Sequence, residues 1–169
     1  ACYGDPGLYA AKEICDCPVL GIAETSIAMS FLLGNRFSIL AASEKAVPMM
    51  EHMVAQYGMD HRLAGVFPLN MSVLDAEANR GETVSRLIEE GKKAVSKGAE
   101  VLILGCAGMT GFGGPVSQAL GIPVMDPVET SFLTLEMMCR GGFKTSKNGL
   151  YKPPGKKRIK REYLLTENI

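Results

Sequence analysis

The chain has 169 residues, 47% of them hydrophobic and 21% charged, with 18 Lys+Arg against 18 Asp+Glu. This length suits one ordinary domain or two small lobes, and the apolar content excludes intrinsic disorder. Balanced charge provides no field to steer the chain to nucleic acid or an anionic membrane, and no apolar run reaches the roughly 20 residues that span a bilayer.

In chain order, Asp5-Pro6 read as the N-cap and first residue of a helix running to about Ile14. Val19 to Ile22 reads as a short strand, and Glu24 to Leu33 as a helix stopped by Gly34. Arg36 to Ala41 (R-F-S-I-L-A) reads as a strand of the continuous apolar kind found in parallel sheets. Ser43 then caps a helix that ends at Tyr57-Gly58, and Leu63 to Phe67 forms a strand with Pro68 at its exit. Ser72 to Asn79 holds a turn of helix. Glu82 to Lys97 is amphipathic, with Val84, Leu87, Ile88 and Val95 on its apolar face and Gly98 as its stop. Val101 to Leu104 is the most apolar strand and leads directly into Gly105-Cys106. A short helix Pro115 to Leu120, a strand Pro123 to Met125 and a helix Glu129 to Cys139 complete the alternation. Strand and helix in alternation imply parallel α/β sheets with right-handed crossovers. From Phe143 onward Lys, Pro and Gly dominate, including Lys156-Lys157-Arg158, and this part reads as a solvated surface loop and tail.

One hexapeptide pattern, C-x-G-x-x-G, occurs twice: Cys2-Tyr3-Gly4-Asp5-Pro6-Gly7 and Cys106-Ala107-Gly108-Met109-Thr110-Gly111. The echo continues through Pro18-Val19 and Glu24-Thr25-Ser26 in the first copy, and through Pro123-Val124 and Glu129-Thr130-Ser131 in the second. A duplicated unit predicts two facing thiols related by a pseudo-twofold axis. Two thiols across one carbon are what a two-base racemase needs: one thiolate removes a proton beside a carbonyl, and the opposite thiol returns one to the other face. Ligands of parallel α/β sheets bind beyond the carboxyl ends of the strands, where Cys106 stands. The glycines leave backbone N–H groups open to cradle a carboxylate or an enolate oxygen. A single cysteine after a buried strand is ordinarily a small hydrophobe, but two at matching places in a repeat are not explained as filler.

The other cysteines read differently. Cys139 falls in an apolar helix and is expected in the core, and Cys15 and Cys17 lack a glycine cradle. Five scattered cysteines in a Met-rich chain indicate a reducing, cytoplasmic setting, and Cys15-Asp16-Cys17 is too closely spaced for a zinc knuckle. No metal is expected, and no cofactor, since the glycine spacing fits neither a phosphate loop nor a dinucleotide fingerprint. His52 and His61 read as surface residues. Glu24 and Glu129 either stabilise helix N-termini or order the catalytic loops. Asp126 is either a turn residue or faces the cleft, and Ser43 either caps a helix or binds substrate.

The cysteine motifs, Val19-Leu20-Gly21-Ile22-Ala23-Glu24, Arg36-Phe37-Ser38-Ile39-Leu40, Leu104-Gly105-Cys106-Ala107-Gly108-Met109 and the late run Lys144 to Tyr151 with Pro153-Pro154 together resemble the hydantoin racemase family, within the aspartate/glutamate racemase superfamily. The resemblance covers nearly the whole chain. It implies an α/β fold of two pseudo-symmetric lobes with parallel sheets and flanking helices, and an active site between them. Cys2 and Cys106 match the paired acid/base thiols, with Tyr3, Gly4, Ser43, Ala107 and Gly108 as substrate-binding residues. The followers Tyr3-Gly4 and Ala107-Gly108, in place of the polar Asn or Thr usual in aspartate and glutamate racemases, shift the expected substrate from free amino acids to a small-molecule cyclic ureide, such as a 5-substituted hydantoin or allantoin. By the family's layout, residues 18–125 form a complete α/β lobe. Residues 1–17 and 126–169 belong to a second, N-terminally truncated lobe, so the first lobe is expected to be incomplete. An open sheet edge there implies a homo-oligomer or association with a missing N-terminal fragment. Two rival readings stand beside this one: a single-cysteine decarboxylase or isomerase of the same superfamily, and a non-catalytic ligand-binding or truncated half-enzyme.

Overall fold

The apolar runs at the centre of the chain pair into one parallel sheet. The structure, a computed structural model, describes residues 1–155. Strands β1 (Phe37–Ala41), β2 (Leu63–Pro68), β3 (Val101–Leu104) and β4 (Val124–Met125) lie in the order β2-β1-β3-β4. Around them run α1 (Leu8–Ile14), α2 (Ile22–Leu33), α3 (Val47–Gln56), α4 (Val73–Ala78), α5 (Arg80–Ser96), α6 (Gly113–Leu120) and α7 (Pro127–Arg140).

Side chains on a strand alternate between faces, and this sheet is covered on both. Phe37, Ile39 and Ala41 of β1, with Val101 and Ile103 of β3, pack against Ile22 and Ile27 of α2 and Met50, Met53 and Val54 of α3. Leu40, Leu102 and Leu104 point the other way, onto Leu87 and Ala94 of α5 and Val116 of α6. Every residue of β1 and β3 is buried. Truncating one of the large ones, such as Ile39, to alanine removes about 2–5 kcal/mol of stability. Helix α5 keeps one apolar stripe inward and its charges outward, where Arg86 pairs with Glu82 and Lys93 with Glu89 one turn away. Helix α2 packs against both β3 and α7.

The strands are in register at their carboxyl ends, Leu40 opposite Phe67 on one side and Leu104 on the other. The loops that follow β1 and β3 therefore leave the sheet side by side. Gly105 is where the second loop departs, and its N–H donates to the Leu40 carbonyl at 2.8 Å. A Cβ there would lie 2.8 Å from that same carbonyl oxygen and 2.9 Å from Met50 Cε, so only glycine fits.

Several expectations need correction. Val19 and its neighbours do not form a strand: residues 18–21 have no regular structure, and Ile22 already begins α2. An apolar alternation becomes a strand only when a neighbour takes its hydrogen bonds, and none of the described strands lies beside it. Asp5-Pro6 do not start α1. Asp5 has a left-handed φ of 43°, Gly7 takes the N-cap with φ 75°, and the helix begins at Leu8. Ser43 caps no α-helix. It precedes a 3-10 turn (Glu44–Ala46) without a side-chain cap bond, and α3 starts only at Val47. Cys139 is exposed on α7 rather than buried. The Lys156-Lys157-Arg158 run lies outside the described residues. Among the described residues, no helix is long and apolar enough to cross a membrane.

Candidate active site

The two cysteine hexapeptides share a hydrogen-bond pattern, although Asp5 is left-handed where its counterpart Met109 lies in a 3-10 turn. The Cys2 carbonyl accepts from the Asp5 N–H at 3.0 Å, and the Cys106 carbonyl accepts from the Met109 N–H at 3.1 Å. Three residues on, the Leu8 N–H donates to Asp5 O at 3.2 Å and the Phe112 N–H to Met109 O at 3.3 Å. The last glycine of each pattern is left-handed, Gly7 at φ 75° and Gly111 at φ 87°, a conformation that favours glycine. Leu8 and Phe112 then anchor each turn in the core.

The helices behind the turns match as well. In α2 the Thr25 N–H donates to Gly21 O and the buried Ser26 hydroxyl to Ile22 O, at 3.0 and 2.7 Å. In α7 the Thr130 N–H donates to Asp126 O and the buried Ser131 hydroxyl to Pro127 O, at 2.9 and 2.7 Å. The two helices of the repeat pack on each other.

Both cysteine turns border the start of α3. A Cβ on Gly4 would lie 3.8 Å from Met49 Sδ and 3.9 Å from Cys2 Sγ, while Gly105 closes against Met50, the next residue of α3. Cys2 is exposed and lines an open depression of about 270 Å³ with Asp5, Gly7, Val19 and Gly21. Cys106 is half-buried in its turn, packs against the Leu104 side of the core, and does not line that depression. Ala107 and Gly108 begin the 3-10 turn Ala107–Met109, so their N–H groups precede any acceptor within it. Such amides are free to receive an oxyanion. Ser43 leaves the adjacent strand end half-buried. Tyr3 differs from the rest: its side chain is core, 4% exposed, among Ile22, Ile27 and Met53. Burial pushes its phenol pKa up, and the side chain is withdrawn from any ligand in the open depression.

A carboxylate ties each turn to its helix. Asp126, 5% exposed, accepts from the N–H groups of Val128 and Glu129 at 2.9 and 3.2 Å, from Gly111 N–H at 2.8 Å and from the Thr110 hydroxyl at 3.4 Å. Asp5 accepts from the N–H groups of Ala23 and Glu24 at 3.3 and 2.9 Å. Desolvation raises the Asp5 carboxyl above its ordinary pKa, against the lowering effect of those backbone bonds.

Residues outside the predicted set hold the first turn from behind. Lys12, 6% exposed, bonds the Glu24 carboxylate at 2.5 Å, and its ammonium lies 5.3 Å from the centre of the Tyr151 ring. Lys147 donates to the carbonyls of Lys12, Glu13 and Cys15 at the end of α1, at 2.5, 3.1 and 2.6 Å. Sequence reading has no signal for a contact across 135 positions. The signal that could have found Asp5 lies in the repeat, where Asp126 aligns with Gly21 and so leaves the N-cap position of α2 without a carboxylate. Among the described residues, no group of three or more His, Cys, Asp or Glu is placed to hold a metal ion.

The family model described as Asp/Glu/Hydantoin racemase matches residues 1–133. A hydantoin racemase of Pseudomonas sp. (strain NS671) is 42% identical over 158 residues, 93% of this chain and 64% of its own. A hydantoin racemase of Paenarthrobacter aurescens is 39% identical over 158 residues, 93% of this chain and 67% of its own. The crystal structure of allantoin racemase from Pseudomonas fluorescens superposes with a TM-score of 0.89 at 30% identity, over 94% of this chain and 68% of that one. The chain thus spans just under two thirds of the Pseudomonas sp. relative.

Proposed function

We propose a function from the premise that the comparisons establish: this chain belongs to the Asp/Glu/hydantoin racemase family. The function is cofactor-independent racemisation of a cyclic ureide at the carbon beside its carbonyl, with a 5-substituted hydantoin or allantoin as substrate. Cys2 and Cys106 are the two bases. The observation that carries this reading is the repeat, in which each cysteine carbonyl accepts from the N–H three residues on, and a left-handed glycine and a buried apolar residue, Leu8 or Phe112, follow at matching places.

One cysteine, as thiolate, takes the proton from the stereogenic carbon. The electron pair moves onto the carbonyl oxygen, and the enolate is held by backbone N–H groups, those of Ala107 and Gly108 foremost. The other cysteine, as thiol, delivers its proton to the opposite face. The product is the mirror image, with the protonation states of the two sulfurs exchanged, so the opposite enantiomer runs the same path in reverse. Nothing is oxidised or reduced. Gly4 and Gly108 keep side chains away from the reacting ring, and the Ser43 hydroxyl, beside the Cys106 loop, is a donor for a ureide carbonyl. Tyr3 contributes through its backbone. Thiols used this way must stay reduced, which fits a cytoplasmic setting.

The test is turnover of each enantiomer of a 5-substituted hydantoin and of allantoin at neutral pH, followed by chiral chromatography against a protein-free blank. Conversion of both enantiomers to the same racemate is expected. Decarboxylated or ring-isomerised product would favour the single-cysteine reading, and binding without turnover the non-catalytic one.

A further inference from the structure

We propose that Asp5 is the positioning residue of the Cys2 turn, and that the two halves build the same carboxylate cap from opposite sides of the turn–helix junction. The role assigned to Cys2 rests on the function proposed above; the cap itself does not.

The repeat sets the correspondence. Glu24 aligns with Glu129, so Ala23 aligns with Val128 and Gly21 with Asp126. In the second half, the carboxylate on the N–H groups of Val128 and Glu129 comes from the helix N-cap residue itself, Asp126. In the first half the N-cap residue is Gly21, which has no side chain to give. The equivalent N–H groups, of Ala23 and Glu24, are nevertheless bonded to a carboxylate, that of Asp5. Asp5 belongs to the cysteine turn, where its counterpart is Met109.

The space confirms the substitution. A Cβ on Gly21 would fall 2.1 Å from Asp5 Oδ2, 2.3 Å from Cγ and 2.7 Å from Oδ1. The Asp5 carboxylate therefore occupies the volume into which an N-cap side chain would project. Asp5 reaches it from a left-handed backbone, φ 43°, which disfavours residues with a Cβ and persists only when the surroundings hold it. Its N–H is also the donor that closes the Cys2 turn. One residue thus links the sulfur-bearing loop to α2, whereas in the second half Asp126 makes the link by bonding Gly111 of the Cys106 loop.

Two consequences distinguish this from an incidental contact. Gly21 and Asp5 are coupled, since a carboxylate at either place serves the same two N–H groups and both together do not fit. Moving the carboxylate, by Asp5→Gly with Gly21→Asp, rebuilds in the first half the arrangement of the second.

The experiment is a double-mutant cycle on the full chain: wild type, Asp5→Gly, Gly21→Asp and the exchange of both. The probe is iodoacetamide, with adducts at Cys2 and Cys106 resolved by peptide mass spectrometry in one sample across pH, so that Cys106 is the internal standard. Each single variant is expected to raise the Cys2:Cys106 alkylation ratio by about fivefold, the scale of one lost cap. The exchange variant is expected to return the ratio to the wild-type value. If a single variant does not fold, a folded exchange variant with the wild-type ratio still supports the cap. A ratio unmoved by Asp5→Gly would overturn it, as would an exchange variant that is unfolded or no better than the worse single variant. The readout needs no turnover, so loss of the racemase reading, seen as no conversion by wild type, is separate from loss of this one.

Discussion

Cys2 and Cys106 hold matching positions in the repeat, and in the proposed racemisation each sulfur would serve one face of the substrate carbon. Cys2→Ser and Cys106→Ser are each expected to lower racemisation by about 10²–10⁴-fold, the usual worth of a positioned acid or base. Each variant keeps the thiol of the other face and should still exchange the proton of one enantiomer, Cys2→Ser and Cys106→Ser acting on opposite ones. Racemisation by both at wild-type rates, read by polarimetry, would assign the chemistry to other residues. Asp5 has a separate signature in stability. Desolvation holds its carboxyl above the ordinary pKa, so the native state binds the proton more tightly than the unfolded state. Its contribution is full below the unfolded pKa and is lost as pH rises through the native one. Asp5→Asn removes that titration. The melting temperature of the variant relative to wild type is therefore expected to be higher at about pH 7 than at about pH 3, and a difference constant across that window would contradict the assignment.

Among the elements, strands and helices with a strong apolar period were readable from residues alone. Phe37 to Ala41, apolar except for the buried Ser38, and Val101 to Leu104 are almost wholly apolar because helices cover both faces of the sheet. The misread elements depend on partners far away in the chain. Val19 to Ile22 has a strand's composition but no described neighbour to pair with, and Asp5 has a cap's chemistry but spends it on α2 instead of α1. Cys139 reads as core from its apolar helix, yet α7 turns it outward. The hold on α1 is a similar case. This helix has seven residues, too short to be stable by itself, and its C-terminal carbonyls are taken by Lys147. A cation there also meets the negative end of the helix dipole. Lys147→Met is expected to cost about 1–3 kcal/mol in urea denaturation and to speed amide exchange in α1. Unchanged stability and exchange would show that the 143–152 segment does not hold α1.

For the molecule as a whole, the duplication was legible as C-x-G-x-x-G with its trailing Pro and Glu-Thr-Ser, because a repeated turn needs its glycines wherever it occurs. The alignment of Gly21 with Asp126 signals that the first copy lacks an N-cap carboxylate, but which residue supplies it is legible only in the bonds from Ala23 and Glu24 to Asp5 and in the space around Gly21. The exposed apolar residues Phe31, Leu32 and Leu33 of α2 and Phe132, Leu133 and Met137 of α7 bear on assembly, as such a surface in water favours self-association. Light scattering is expected to give a multiple of 18.1 kDa, and a monomer at high concentration would contradict that. In the proposed racemisation two thiols exchange a carbon-bound proton with solvent. This exchange is tested most directly by incubating a single enantiomer of a 5-substituted hydantoin with the chain in heavy water and following the C5 proton by NMR. Two thiols on opposite faces predict that the antipode appears already carrying solvent deuterium, and that wild type but neither cysteine variant forms it. An antipode that retains the original proton, or the same deuterated antipode from both cysteine variants, would contradict the account.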